Sequence, residues 1–482
     1  MATTLAPTTL AATLGDGWRR GGTAAHGLAD ALRSLVVDGR VPVRTRVPSE
    51  RALAPELGVS RGTVSRAYDR LREDGFLVSA RGAGSWLTLP GSAGPAPHPR
   101  PLDAGDTSAI DLSIAALPAP EPLLSEAAAR AATALGRHAA AHGYAPAGLP
   151  ELREAVAERF RARGLPTTAE QILVTAGAQQ ALQLLLALVA TPGERALVDA
   201  PAFPRTLSAL RTARLRAVAV PLGREGWDVE AWAGALRDSA PRLAVVVPDY
   251  QNPTGLTLDV DGRAALADAC ARTGALLAAD ETTAELRLDG PPAPPPLAAF
   301  DPSAGVVTIG SMSKSAWGGL RLGWLRAAPS LIRELAAMRA DHDLASPVLE
   351  QLLGVELLQR WDDVLASRRA LLAPRRDALL AALAEHAPSW RVRRPHGGLS
   401  AWVRLPEPIA TRLAAAAERA GVIVAPGPAF SVDGTFERHL RIPFTAPEAT
   451  LASAVETLAA VAERLGEAGG APVLAGEPTA MV

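Results

Sequence analysis

Apolar residues recur along this chain with two different periods, and the places where the period changes divide it. Leu28, Leu32, Leu35 and Val36 share the spacing of one helical face, which Gly39 ends. A second helix is predicted after Ser49, a good N-cap, and runs through Leu53 to Leu57 before Gly58 stops it. Ser60 caps a third, Ser60 to Asp74, which turns Val64, Ala67, Tyr68 and Leu71 inward and leaves Arg61, Thr63, Ser65, Arg66 and Arg70 on other faces. Phe76 to Val78 and Ser85 to Leu89, joined by Ala80, Arg81, Gly82, Ala83 and Gly84, read as a short hairpin. Two short helices joined by a tight glycine turn, with polar residues opening the second, fit a helix-turn-helix entering a major groove, with the hairpin as a wing. On pattern alone, a small helical interaction domain with solvated charges is the weaker alternative.

From Ile110 the pattern changes. Apolar β-type runs, ILVTA, RALVDA, LAVVVPDY, ALLAAD and GVVTIGSMSK, alternate with helical stretches. That alternation predicts an α/β module with a mainly parallel sheet covered by helices. Between the two modules, PGSAGPAPHPRPLDAGD has no apolar period and is rich in Pro, Gly and Ala, as an extended linker would be. The expected organisation is therefore a small module at 23–89, a linker at 90–109, a large module at 110–466 and a disordered tail at 467–482. The stretch before about Gly22 is expected to be disordered too.

Composition narrows the class. At 482 residues and 48% hydrophobic content the chain can bury a large core. A formal net charge of −1 argues against a uniformly cationic coat, yet from Leu28 to Leu87 ten arginines face seven acids, a local 10 − 7 = +3 that favours DNA. A single cysteine, Cys270, suits a reducing compartment, and no apolar run approaches the roughly 20 residues of a membrane span, so a cytoplasmic location is expected. No metal site is expected.

Candidate chemistry centres on Lys314, the only lysine in the chain. An ε-amine can lose its proton and form a Schiff base with an aldehyde, whereas arginine stays protonated. Alone, Lys314 reads equally as an anchor or as an accidental surface lysine. Its segment SMSKSAWGGLRLGW adds hydroxyls at Ser311 and Ser313 and a guanidinium at Arg321 suited to a phosphate. Upstream, TAGAQQAL opens a helix after a strand, so the amides of Gly177, Ala178 and Gln179 are placed to cradle a phosphate, a weak signal in isolation.

These segments resemble known families. VPSERALAPELGVSRGTVSRAYDRLREDGFL followed by SARGAGSWL resembles the GntR-type winged helix over its whole length. The resemblance implies DNA contacts at Arg51, Ser60, Arg61, Gly62, Thr63, Ser65, Arg81 and Gly82. Gly62 and Ser65 are often larger or charged in relatives, so the base sequence read does not carry over. The Lys314 segment resembles that of fold-type I enzymes binding pyridoxal 5'-phosphate. That likeness implies roles for Asp280 on the pyridine nitrogen, Asn252 on the phenolic oxygen and Phe203 stacked on the ring. It further implies that Tyr144 reaches the cofactor phosphate of a neighbouring subunit and that Arg441 binds a substrate α-carboxylate. One departure is Thr282, where the family usually has a tyrosine bonded to the cofactor oxygen.

Winged helix, linker and aminotransferase-like module in that order resemble the MocR subfamily of GntR regulators. The implied protein is a homodimer with shared sites that binds pyridoxal 5'-phosphate and double-stranded DNA and senses a small amine or amino acid. The alternatives are an active aminotransferase with an autoregulatory DNA-binding domain, and a sensor of free pyridoxal phosphate.

Overall fold

The computed structural model describes residues 4–20, 23–43, 45–80, 84–89, 109–223, 226–303 and 305–468. Arg81 and Gly82, the linker at 90–108 and the tail from 469 onward lie outside the described residues.

The N-terminal module opens on α1 (Pro7–Leu14), where the sequence suggested disorder. Pro7 suits a first helical turn, and Leu10 is fully buried in a core shared with Trp18, Leu28, Leu32 and Tyr68. One leucine cannot be recognised as a core residue from its own neighbourhood, so the expectation failed for want of a tertiary partner. α2 (Ala24–Val37), α3 (Glu50–Glu56) and α4 (Arg61–Glu73) follow. Ser49 Oγ accepts from the Ala52 N–H and Ser60 Oγ from the Thr63 N–H, which starts α3 and α4 where the caps were expected. β1 (Arg46–Val47), β2 (Leu77–Ala80) and β3 (Gly84–Leu87) form an antiparallel wing sheet ordered β1-β3-β2.

The large module starts with β4 (Ile110–Leu112). Its main sheet comprises β5 (Ile172–Thr175), β6 (Arg195–Ala200), β7 (Arg216–Pro221), β8 (Leu243–Val246), β9 (Leu276–Asp280), β10 (Val306–Ser311) and β11 (Gly323–Arg326). The order is β5-β11-β10-β9-β8-β6-β7, with β11 antiparallel to both neighbours and the other pairs parallel. Strands β5 and β8 are buried at every position, as a sheet covered on both faces requires. A smaller C-terminal sheet joins β12 (Arg391–Val392), β13 (Ser400–Arg404), β14 (Val422–Pro426) and β15 (His439–Pro443) to β4, in the order β12-β13-β15-β14-β4. The last helix, Glu448–Ala468, runs two residues into the expected tail.

The two modules touch along a seam. The Phe436 N–H donates to the Val37 carbonyl at 2.6 Å, and the Val43 N–H donates to Asp433 Oδ2 at 3.2 Å. Asp38, at the C-terminal end of α2, pairs with Arg404 at 3.1 Å and Arg438 at 3.6 Å. Gly39 faces the Phe436 ring so closely that a Cβ there would sit 2.3 Å from it.

Candidate functional site

The predicted cofactor residues gather at the carboxyl ends of the main sheet, where ligands sit in open α/β folds. Gly177 follows β5, Phe203 follows β6, Asn252 follows β8, Asp280 ends β9 and Lys314 follows β10. Because these strands belong to one sheet and run in one direction, with only β11 interposed between β5 and β10, residues scattered over 138 positions (314 − 176) of chain come to the same edge of the sheet.

Lys314 sits in a single helical turn, Met312–Ser315, and its Nζ donates to the Ala115 carbonyl at 2.7 Å. Burial, helped by the Arg441 charge and opposed by Asp280, pushes its amine down to about 8. A sizeable fraction is then neutral near physiological pH, as a nucleophilic amine must be. Asp280 is moved upward by burial, against the hydroxyl and N–H of Thr282 that both hold its carboxylate, the N–H at 3.1 Å from Oδ1. Thr282 thus turns toward Asp280. A threonine in the tyrosine's place supports the carboxylate.

Gly177 caps the helix Ala178–Val189 with φ +85°, and the first-turn amides of Ala178 and Gln179 have no helical partners. Glycine suits this position because its φ of +85° strains any other residue, and a Cβ there would also push on the Arg321 guanidinium, 2.9 Å from Nη2. Arg321 itself donates to the Ala176 carbonyl at 2.6 Å, which brings its guanidinium beside these amides. Amides and guanidinium together are groups that could hold a phosphate. Ser311 is bonded to Ser313: its Oγ lies 2.9 Å from both Ser313 Oγ and the Leu322 carbonyl, either of which can accept its proton, and it accepts from the Ser313 N–H at 3.1 Å.

Phe203 is half-buried as the N-cap of the helix Pro204–Thr212. Asn252 leaves its buried Oδ1 without a hydrogen-bond partner among the described residues. A buried amide lacking a partner beside a lysine amine, an aspartate and a phosphate cradle is the polar environment a pyridoxal ring requires, and the residues present fit that group. Gln251 fastens the loop: its Nε2 donates to the Pro201 carbonyl at 2.7 Å, tying the Phe203 and Asn252 segments together.

Arg441 lies on β15, 4% exposed, with its guanidinium 5.4 Å from the Phe430 ring. It donates to the Ser113 carbonyl, and its Nε has no hydrogen-bond partner among the described residues. Burial lowers even this arginine to about 10, with Asp111 pulling the other way. A buried guanidinium without a paired carboxylate among the described residues is suited to an incoming anion. Tyr144, by contrast, is 60% exposed, with its ring centroid 5.6 Å from that of His142. The sequence reading missed Arg205, two residues past Phe203, whose charge bears on Lys314. Its place beside the stacking residue was the available signal.

On the small module, Arg51 is exposed, Ser60 caps α4, and Arg61, Gly62, Thr63 and Ser65 occupy the first turns of α4. The Arg61 side chain is 72% exposed and lies 3.4 Å from Glu50 Oε2. No group of three or more His, Cys, Asp or Glu able to hold a metal occurs among the described residues. No helix of the described residues is long and apolar enough to cross a membrane.

Residues 107–458 match the aminotransferase class I and II family, and residues 24–86 match the bacterial regulatory proteins of the gntR family. An uncharacterized HTH-type transcriptional regulator of Escherichia coli, YdcR, is 29% identical over 86% of this chain and 93% of its own. The HTH-type pyridoxine biosynthesis transcriptional regulator PdxR of Corynebacterium glutamicum is 33% identical over 65% of this chain and 68% of its own. Among solved structures, Pyrococcus horikoshii kynurenine aminotransferase, in complex with PMP, superposes with a TM-score of 0.70 at 26% identity, covering 74% of this chain and 92% of that one.

Proposed function

Since the chain belongs to the class I and II aminotransferase family and carries a gntR-family domain ahead of it, as MocR-type regulators do, we propose that it is a pyridoxal-phosphate-dependent transcriptional regulator whose large module senses a small amine or amino acid. The observation that carries this reading is mechanical. β15 holds Arg441, and the segment just before it, Asp433 to Arg438, is bonded to the winged helix together with Arg404 on the neighbouring β13. A ligand seated on Arg441 therefore pulls on an element that touches the DNA-reading head.

When bound, pyridoxal phosphate supplies an aldehyde carbon for amines and a conjugated ring that accepts electron density. The protein contributes the rest. Lys314 offers a neutral amine at the end of β10, Asp280 with Thr282 holds negative charge where a pyridine nitrogen would lie, and Gly177, Ala178, Gln179, Ser313 and Arg321 hold the phosphate. Asn252 and Phe203 orient the ring. Arg441 receives the effector carboxylate in a charge-assisted pair. Tyr144 completes the phosphate site of a second subunit, so the working form is a homodimer in the cytoplasm. A ligand shifts the arrangement of the DNA-binding heads only by its differential affinity for the two states.

Turnover is the competing reading, favoured by Lys314, Asp280 and Arg441 meeting in one crevice. Titrating amino acids and amines into the cofactor-loaded protein, with visible absorbance, keto acid and DNA binding followed together, separates the cases. A persistent spectral shift that alters DNA binding without product is the expected result. Repeated keto-acid formation identifies an enzyme, and a DNA-binding change on cofactor alone identifies a sensor of free pyridoxal phosphate.

A further inference from the structure

The described N-terminal segment begins on the DNA-reading face. Thr4 bridges Arg46 in parallel and the Leu5 N–H donates to the Arg46 carbonyl at 3.0 Å, so this segment lies along β1, the edge strand of the wing sheet. The fully buried Leu10 anchors it to the core. Residues 4–23 precede the gntR-family match, which starts at 24. Together with α4 and the wing, this segment walls a groove of about 590 Å³.

The groove is lined by Arg46, Arg51, Arg61 and Arg72 against one acid, Glu50. Arg72 is engaged by Asp69 and Ser79, and Arg61 lies near Glu50. Arg46 and Arg51 are exposed and make no ion pair among the described residues. Arg46 is also held in place. Its main chain is paired to Trp86 on one side and Leu5 on the other, and its guanidinium lies over Gly84, where a Cβ would come within 2.5 Å of Nε. A pre-positioned cation without an ion pair among the described residues, in a groove between α4 and the wing, is suited to a nucleic-acid phosphate.

We propose that this groove is a phosphate clamp for the DNA backbone, with Arg46 as its contact and the N-terminal segment as its outer wall. The proposal rests on the DNA-binding reading above and adds a contact site to it. Phosphate contacts set register and affinity without reading sequence, so the clamp acts equally on any duplex.

The test is equilibrium binding of the full cofactor-loaded chain to a mixed-sequence DNA duplex of roughly three helical turns, between about 50 and 200 mM salt. Arg46→Gln is expected to weaken binding and to lower the slope of log affinity against log salt by about one. Arg46→Lys keeps the charge and the wild-type slope. Arg412→Gln, at an exposed position on the helix Ala410–Arg419, serves as the control and leaves the slope unchanged. Wild-type slope in a folded Arg46→Gln variant, beside steeply salt-dependent wild-type binding, overturns the clamp alone. Absence of salt-dependent binding by the wild type overturns the DNA-binding reading, and the clamp with it.

Discussion

At the scale of single residues, the chemistry hangs on how burial treats charge. Lys314 is held near 8, against 10.5 for an ordinary lysine, because its amine is desolvated and Arg441 lies close. The neutral, reactive fraction rises as pH passes through that value. Cofactor capture by the cofactor-free protein is therefore expected to accelerate about tenfold per pH unit below 8 and to level off above it. Stopped-flow absorbance checks this, and a rate still climbing at pH 10 contradicts it. Lys314→Ala should lose the covalent cofactor band while keeping fold and DNA binding; an unchanged spectrum removes Lys314 as the anchor. Composition alone singled out Lys314 as a candidate, since one lysine among 48 arginines invites the question of what only an amine can do. That Thr282 turns to Asp280 was not, because a side-chain direction depends on what packs around it.

Among the elements, the segment leading into β15 links the two modules. Trp402 on β13 touches Phe430 and Phe436 edge-on, with centroids 5.5 and 6.0 Å away, and stacks on His439 at 5.0 Å. Phe430 reaches Arg441 on one side, and Phe436 reaches Gly39 on the other. Gly39 has φ +68° and no room for a methyl group, so Gly39→Ala is expected to open the seam at a cost of about 1–3 kcal/mol. The DNA response to effector should weaken with it, while cofactor binding stays unchanged. Anisotropy with and without effector reads the first, and absorbance the second. The cluster also carries a pH signature. Burial, with Arg404 and Arg438 nearby, pushes His439 down to about 3 from 6.5, so the folded chain binds fewer protons than the unfolded one between those values. Its contribution is fully present above 6.5 and falls by about 1.4 kcal/mol per unit as pH drops below it. Thermal melts from pH 7.5 to 5 should slope less steeply for His439→Phe, which keeps the stack; equal slopes would refute this account.

For the whole molecule, the exposed Tyr144 argues for sites completed across a subunit boundary. Mixing Lys314→Ala and Tyr144→Ala chains tests this directly. In a mixed dimer one site carries both lesions and the other none, so absorbance should recover toward half the wild-type cofactor content with full affinity; no recovery places Tyr144 in its own chain's site. The architecture was legible because its signals are local: the change of apolar period at Ile110, caps at Ser49 and Ser60, and a Pro-rich break between the modules. Candidate site residues were legible one motif at a time, through side-chain types that few positions demand. The fold alone decided which of them meet. Five strands running in one direction, with the antiparallel β11 between β5 and β10, carry Gly177, Phe203, Asn252, Asp280 and Lys314 to the same edge of the sheet, while Tyr144 is left on the surface. The helix α1, the Arg46 groove and the seam at Asp38 and Phe436 were likewise invisible in the chain, because each depends on partners tens to hundreds of residues apart. Periodicity and residue type are properties of a segment, whereas desolvation, orientation and contact belong to the folded whole.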